Sequence, residues 1–227
     1  MIKLKNIDRL KNYFSEGTFE KILNYDGNLF DLNQKRYAVV MFADISGYTA
    51  ISEKLSAEEV TEIINKTFKV LVGIVKKYSG IIDKFIGDSI LCIFGITNSD
   101  NPELASTLCA LEMQDSLEVL NVELNNKYGF DFKMSVGIHS GTLIIGNIGC
   151  EERIEYTVIG DTVNTASRIQ GVAKGGEINI SEDIYKKILD FVVCESLPPV
   201  KLKNKANSTA LYKVLSKKEV KLAVKKI

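Results

Sequence analysis

Two apolar stretches, RYAVVMFAD at residues 36–44 and IIDKFIGDSILCIF at residues 81–94, decide the fold. The first is a run of β-branched and apolar residues too short for a helix, and it predicts a strand buried on both faces. The second predicts two strands joined at Gly87-Asp88, a dipeptide suited to a two-residue hairpin turn. We therefore expect Asp44 at a strand end and Asp88 at a hairpin tip.

Long amphipathic helices are predicted on either side of this hairpin. Residues 57–78 carry apolar side chains at helical spacing, with Ser56 as N-cap and Glu59 as its capping-box partner. A second helix is predicted to begin at Pro102, a residue suited to a first helical turn, and to end near Gly129. The order strand, helix, hairpin, helix, strand predicts an α+β fold with a ferredoxin-like (palm-type) βαββαβ core.

Additional strands and helices are expected after this core. The segment DFKMSVGIHSGTLIIGNIG (131–149) is interpreted as a second hairpin that turns at Ser140-Gly141. The elements predicted beyond it are a strand at 155–160, a helix at 161–172, a strand at 177–180, a helix at 181–189 and strands near 200–202 and 210–214. The domain organisation is predicted as an N-terminal helical segment at 1–34, one catalytic domain at 35–215 and a basic tail at 216–227.

The composition excludes several classes of function. The 227 residues carry 29 Lys+Arg and 29 Asp+Glu, and this balance argues against nucleic acid or an anionic membrane as the main partner. No apolar stretch reaches the roughly 18 residues needed to span a bilayer. The four cysteines form no C-x-x-C pair, so we expect reduced thiols in a cytoplasmic protein and no zinc centre.

Asp44 and Asp88 are the candidate metal ligands. If the first strand and the hairpin are neighbours in one sheet, the two carboxylates converge and repel each other unless cations lie between them. Oxygen-rich sites suit Mg²⁺ or Mn²⁺, and two such ions support in-line displacement at phosphorus. The alternative is that Asp44 caps a helix and Asp88 belongs to a turn, and spacing alone leaves both interpretations open.

Four motifs in order along the chain resemble the catalytic domain of class III adenylate and guanylate cyclases. They are FADISGYT (42–49), DKFIGDSILCIFG (83–95), VGIHSG (136–141) and YTVIGDTVNTASRI (156–169). The resemblance extends over about residues 35–214. It implies a ferredoxin-like fold with added strands and a head-to-tail homodimer with catalytic sites at its interface.

The resemblance also implies which residues hold the metal ions and the phosphates. Two divalent cations, Mg²⁺ or Mn²⁺, are expected at Asp44, Asp88 and the Ile45 carbonyl. The phosphates of ATP are expected at the backbone of Gly47, Tyr48 and Thr49 and at Lys203 or Lys205. The choice between the two lysines stays open, because Asn204 stands where the family has glycine.

A second group of residues is implied for the rest of the nucleotide. Arg168 matches the arginine that stabilises the pentacoordinate α-phosphate, and Asn164 matches the asparagine that orients the ribose. Lys84 matches a position that is lysine in adenylate cyclases and glutamate in guanylate cyclases, and Thr157 matches the second base-reading position. An ammonium donor suits the N1 acceptor of adenine, whereas guanine presents an N1–H donor, so ATP is the favoured substrate. Threonine at 157 resembles the bacterial and bicarbonate-responsive soluble subclass.

The favoured function is a homodimeric adenylate cyclase that acts in cyclic-nucleotide signalling. In such a dimer we expect Lys84 and the two aspartates of one protomer to meet Asn164 and Arg168 of the other. The alternatives are a guanylate or mixed-specificity cyclase and a catalytically silent, cyclase-like module that dimerises or senses a ligand. His139 lies in a strand motif and is expected to be structural. The N-terminal segment is where an upstream sensory or regulatory partner could couple.

Overall fold

A computed structural model of the chain describes residues 33–97, 100–203 and 208–219, and at residues 49 and 50 the backbone alone. The helical segment expected at 1–34 lies outside the described residues up to residue 32, and so does the basic tail from residue 220 onward. At the predicted domain boundaries, the first described strand begins at Gln34 and the last ends at Lys217.

The described residues form eight strands and five helices. The strands are β1 Gln34–Ser46, β2 Ile81–Ile86, β3 Ser89–Phe94, β4 Lys133–Cys150, β5 Arg153–Ile159, β6 Ile178–Ser181, β7 Val192–Ser196 and β8 Leu211–Lys217. The helices are α1 Tyr48–Ser52, α2 Ala57–Lys77, α3 Pro102–Tyr128, α4 Asp161–Gln170 and α5 Glu182–Ile188.

All eight strands belong to one sheet, in the order β2-β3-β1-β4-β6-β8-β7, and β5 pairs with the far end of β4. The pairs are antiparallel except for β4 and β6, which run parallel. The succession β1, α2, β2, β3, α3, β4 is the predicted βαββαβ core. The α+β, palm-type fold is therefore confirmed, with further strands and helices added on the C-terminal side.

Local sequence signals set the ends of the long helices. The Ser56 side chain accepts a hydrogen bond from the Glu59 N–H at 3.2 Å, and the Glu59 carboxylate accepts one from the Ser56 N–H at 3.0 Å. This is the predicted capping box. Helix α3 begins at Pro102 and ends at Tyr128, and it is capped by Gly129, whose φ of +75° suits glycine after a helix C-terminus.

Strand β1 is buried on both faces and separates two apolar layers. Helices α2, α3 and α5 pack on one face, where alternate residues of β1 such as Met41 and Ala43 are buried. Ala38 and Val40 point to the other face and pack with Val158 of β5 and Ala166 of α4. By the same alternation Asp44 lies on the α4 face of the sheet.

The hairpin predicted at 131–149 is wrong, because β4 is one continuous strand that pairs with β1 over the whole length of β1. Gly141 is not a turn residue: a Cβ there would lie 2.7 Å from Thr162 Oγ1 of α4. Gly137 is packed more closely, since its Cβ would lie 2.1 Å from the Gln170 backbone nitrogen. These glycines make room for α4 against the strand backbone, and the chain turns later, between β4 and β5.

The C-terminal strands also differ from expectation. The strand predicted near 200–202 is an isolated bridge between Val200 and Thr209, and β7 is not predicted from the sequence. Strand β7 is a short edge strand in which only Val192 is buried, so it carries little apolar signal. Among the helices that the structure describes, none has the length and apolar character needed to cross a membrane.

Candidate active site

Two carboxylates meet where β1 ends and the β2–β3 hairpin turns. Asp44 pairs in register with Ser89, the residue after Asp88, and the Ser89 hydroxyl donates a hydrogen bond to Asp44 Oδ1. Burial, and then the negative charge of Asp44, raise the pKa of Asp88 above its usual value. The β1–β3 pairing therefore brings the two predicted metal ligands together.

The surroundings of this pair suit a hard divalent cation. Within the described ranges no lysine or arginine forms an ion pair with Asp44 or Asp88. Among the described residues there is no group of three or more His, Cys, Asp and Glu side chains that could bind a metal, so the candidate site has two carboxylates. Because like charges in a partly desolvated place raise the pKa of Asp88, a cation beside the pair would be stabilised. Ile45 is 1% exposed as a whole residue, and its apolar side chain lies in the core on the opposite face, so only its backbone carbonyl is a candidate ligand.

The predicted phosphate-binding backbone follows β1 directly. Gly47 has a φ of +85°, a left-handed conformation that favours glycine, and the chain turns there into α1. Tyr48 is the first residue of α1, and Thr49 follows it. Lys203 is exposed, and Lys205 lies outside the described residues.

Lys84 and Thr157 belong to one contact cluster between β2 and β5. Lys84 pairs with Leu91 of β3, which places its side chain on the α4 face of the sheet. The Lys84 ammonium contacts the Glu155 carboxylate and lies 3.5 Å from Asp83 Oδ2. The Thr157 hydroxyl donates a 2.8 Å hydrogen bond to the same Asp83 oxygen. The structure thus brings together the two residues expected to read the base.

Asp83, at the centre of this cluster, is not identified from the sequence. Its side chain is 6% exposed, and burial raises its pKa, opposed by the Thr157 hydrogen bond and by the Lys84 ammonium. Its hydrogen-bond partner is 74 residues away in the chain. The contact depends on the path of β5 after the continuous strand β4, so no local spacing could have indicated it.

Asn164 and Arg168 lie on the face of helix α4 that points away from the sheet. Its buried residues are Thr162, Thr165, Ala166 and Ile169, whereas Asn164 is exposed and Arg168 is half-buried. No carboxylate in the described part of the chain pairs with Arg168. A guanidinium without an ion-pair partner on an outer helix face is free to bind an external phosphate.

Strand β5 leads directly into α4 through Gly160, whose φ of +142° again suits glycine. Thr157, Asn164 and Arg168 are therefore carried by one continuous segment, and the described side-chain contacts of Lys84 include Glu155 of that segment. These contacts group Lys84 with Thr157 and α4. They do not favour the expected grouping of Lys84 with the aspartates.

His139 and two of the cysteines occupy structural positions. His139 Nδ1 lies 2.9 Å from Ser181 Oγ, a contact that links β4 to β6, which favours the structural role expected for this residue. Cys92 and Cys109 are buried free thiols, and burial raises the pKa of Cys109 to about 12 and that of Cys92 well above its usual value. Neither thiol is therefore poised as a nucleophile.

The fold and this site together define a nucleotidyl cyclase catalytic domain. Residues 31–216 match the adenylate and guanylate cyclase catalytic domain family, and the chain belongs to that family. Adenylate cyclase 1 of Rhizobium meliloti (strain 1021) is 32% identical over 184 residues, which are 80% of this chain and 28% of the relative. The adenylate cyclase of Anabaena cylindrica is 33% identical over 188 residues, 79% of this chain and 37% of the relative. The chain thus spans well under half the length of these relatives.

Solved structures of an adenylyl cyclase and of a guanylyl cyclase both resemble this chain. The adenylyl cyclase CyaB from P. aeruginosa superposes with a TM-score of 0.78 at 31% identity, covering 81% of this chain and 96% of that one. The guanylyl cyclase Cya2 also has a TM-score of 0.78, at 30% identity, covering 84% of this chain and 97% of that one. The fold alone therefore does not decide which base is bound.

Proposed function

We propose that the chain is the catalytic domain of an adenylate cyclase that converts ATP to 3′,5′-cyclic AMP and pyrophosphate. The observation that carries this choice of substrate is the cluster of Lys84, Asp83 and Thr157. A lysine ammonium can only donate hydrogen bonds, so it suits the N1 acceptor of adenine and leaves the N1–H of guanine unpaired. An unpaired buried donor costs enough free energy to discriminate between the two bases.

Asp44 and Asp88, with the carbonyl of Ile45, would hold two divalent cations, Mg²⁺ or Mn²⁺. When bound, such ions lower the pKa of an attacking hydroxyl and offset charge on a leaving pyrophosphate. The protein itself contributes two carboxylates that form no ion pair with any basic residue in the described part of the chain, held where β1 ends and the β2–β3 hairpin turns. The backbone from Gly47 to Thr49 and the lysine at 203 or 205 would bind the phosphates.

The remaining residues would position the nucleotide from the other protomer of a homodimer. Arg168 would stabilise the charge that develops on the α-phosphate, and Asn164, one helical turn earlier, would orient the ribose. Because Lys84 contacts the β5–α4 segment, we group it with Thr157, Asn164 and Arg168. Each site would combine these four residues of one chain with the Asp44–Asp88 pair of its partner.

A guanylate or mixed-specificity cyclase is the second candidate. The similarity to the guanylyl cyclase Cya2 favours it, since that structure superposes as well as the adenylyl cyclase does. A catalytically silent module is disfavoured because the described residues retain both aspartates, Lys84, Thr157, Asn164 and Arg168.

A product assay with purified protein decides between these functions. Incubation with ATP or GTP, in Mg²⁺ or Mn²⁺, is followed by chromatographic separation of cyclic AMP and cyclic GMP. We expect cyclic AMP as the main product and none after chelation of the metal. Preferential formation of cyclic GMP would instead identify a guanylate cyclase, and nucleotide binding without either product would identify a silent module.

A further inference from the structure

The hydroxyl proton of Thr157 is already used in a hydrogen bond within the protein. Thr157 Oγ1 donates to Asp83 Oδ2 at 2.8 Å, and both side chains are 6% exposed or less. A threonine hydroxyl has one proton to donate and two lone pairs that accept. While Asp83 accepts the proton, Thr157 can offer a ligand only its lone pairs.

The neighbouring ammonium keeps Asp83 in its role as acceptor. Lys84 Nζ lies 3.5 Å from the same Asp83 oxygen that receives the Thr157 hydrogen bond. Lys84 is itself a donor without acceptor capacity, and its side chain is 26% exposed. The cluster therefore presents one donor, Lys84, beside one acceptor, Thr157.

This pair of a donor and an acceptor complements the N1 and C6 edge of adenine and opposes the same edge of guanine. Adenine has an N1 acceptor next to a 6-amino donor, whereas guanine has an N1–H donor next to a 6-oxo acceptor. A threonine hydroxyl with a free proton could serve either base. Thr157 can therefore distinguish the two bases only if another group fixes the direction of its hydroxyl proton.

We propose that Asp83 is a specificity-determining positioning residue: by accepting the Thr157 proton, it makes Thr157 an acceptor that selects a 6-amino purine over a 6-oxo purine. The inference deepens the proposed function and rests on it, since it assumes that Lys84 and Thr157 face the base. Asp83 does not touch the nucleotide and acts through Thr157.

Two substitutions at Asp83 separate hydrogen bonding from charge. Asp83→Leu removes the acceptor and leaves the Thr157 proton free to turn to the base. Asp83→Asn removes the charge but keeps a carbonyl oxygen, which the Lys84 ammonium holds in the position of Oδ2 because an amide NH₂ there would oppose it. Glu155→Gln is the matched control, since Glu155 also contacts Lys84 but has no hydrogen bond to Thr157 among the described contacts.

The preference is measured with nucleotides that differ only at the relevant positions. Inosine triphosphate carries the N1–H and 6-oxo groups without the 2-amino group of guanine, and purine riboside triphosphate simply lacks the 6-amino group. The ratio of kcat/KM values is measured for each pair. Dissociation constants of 3′-deoxy-ATP and 3′-deoxyinosine triphosphate, which lack the attacking hydroxyl, give the same preference without turnover.

We expect Asp83→Leu to lower the preference for ATP over inosine triphosphate by at least about fivefold, since a lost acceptor–acceptor clash in a buried site is worth roughly 5- to 150-fold. Asp83→Asn and Glu155→Gln should keep the preference within about twofold of the unmodified protein. In a Thr157→Val background, Asp83→Leu should have no further effect on the ratio, because the hydroxyl is gone.

Several results would overturn the inference. One is an equal loss of kcat/KM for both nucleotides in Asp83→Leu, which indicates a structural role only. Another is a loss of preference in Asp83→Asn as large as in Asp83→Leu, which indicates a charge effect on Lys84. A third is an undiminished effect of Asp83→Leu when Thr157 is valine.

The test stands even if Asp83→Leu does not fold. The unmodified protein should then prefer ATP to purine riboside triphosphate by roughly 2- to 13-fold, and Thr157→Val should abolish that difference. Equal use of the two nucleotides by the unmodified protein contradicts the inference. Selective binding of 3′-deoxy-ATP without any cyclic AMP formation from ATP would refute the proposed function and leave the inference about Asp83 intact.

Discussion

The close packing of helix α4 against β4 predicts the effect of a single substitution, and its magnitude can be worked out from the structure. In Gly137→Ala the new Cβ would lie 2.1 Å from the backbone nitrogen of Gln170 and 2.6 Å from the carbonyl oxygen of Ala166. Both are helix backbone atoms, so no side chain can rotate away. To restore the 3.4 Å of ordinary van der Waals contact, α4 must move away from β4 by about 1.3 Å.

This displacement affects both stability and activity. Over-packing of this kind costs about 1–3 kcal/mol, which for a domain of this size lowers Tm by roughly 2–12 °C. The helix carries Asn164 and Arg168, and a misplacement of about 1 Å can reduce a reaction rate about a hundredfold. We therefore expect a folded Gly137→Ala protein that forms cyclic AMP far more slowly than its loss of stability explains.

The matched control is Gly73→Ala in the middle of α2. Gly73 is exposed, and apart from the backbone of its own helix and its chain neighbours no atom lies within 4 Å of the position of its Cβ. Alanine there should raise stability by about 0.5–1 kcal/mol and leave activity unchanged. Thermal unfolding followed by circular dichroism, with a cyclic AMP assay below the transition, measures both variants. An unchanged Tm and unchanged activity in Gly137→Ala would refute the packing of α4 on this glycine.

Further predictions concern the carboxylates and the base. Asp44→Ala and Asp88→Ala should each reduce metal-dependent cyclic AMP formation by at least about a hundredfold without lowering Tm, and near-normal turnover in either would contradict the two-metal assignment. Because burial and Asp44 raise the pKa of Asp88, the stability that the protonated carboxyl contributes is fully present below its unfolded pKa and is lost as pH rises through its higher folded pKa. In metal-free protein, the Tm of Asp88→Asn should therefore increase relative to that of the unmodified protein as pH rises above about 4, the usual pKa of an Asp. A difference in Tm that does not change with pH would argue against the burial of Asp88 beside Asp44. Lys84→Glu combined with Thr157→Cys should lower ATP turnover by roughly 5- to 150-fold and favour GTP, whereas equal use of ATP and GTP before and after the change would show that Lys84 does not read the base.

The local parts of the fold could be predicted because their signals lie within a few residues of one another. The capping box at Ser56 and Glu59, the proline at the start of α3 and the Gly87-Asp88 turn each act through neighbouring backbone groups. The convergence of Asp44 and Asp88 follows from strand order, which the alternation of elements indicates.

The errors in the predicted fold arise where the role of a residue depends on contact with an element that is distant in the sequence. Gly141 was interpretable as a turn glycine, but it is required by Thr162 on a helix that packs across the strand. Its local sequence is the same in both cases, so only the tertiary contact distinguishes them. Asp83 could not be found for the same reason, because its importance lies in a hydrogen bond to Thr157 on another strand. Strand β7 was missed because an edge strand buries too little to show a pattern.

The central claim, a site built from two chains, is tested most directly by mixing inactive variants. We predict that Asp44→Ala mixed with Arg168→Ala regains about a quarter of normal cyclic AMP formation, because about half of the dimers are mixed and each has one intact site. Asp44→Ala mixed with Lys84→Ala should recover in the same way, whereas Lys84→Ala mixed with Arg168→Ala should stay inactive. Recovery of Lys84→Ala mixed with Arg168→Ala, without recovery of Asp44→Ala mixed with Lys84→Ala, would contradict the grouping of Lys84 with helix α4. Recovery in none of the mixtures, when mixed dimers are shown to form, would contradict the shared site.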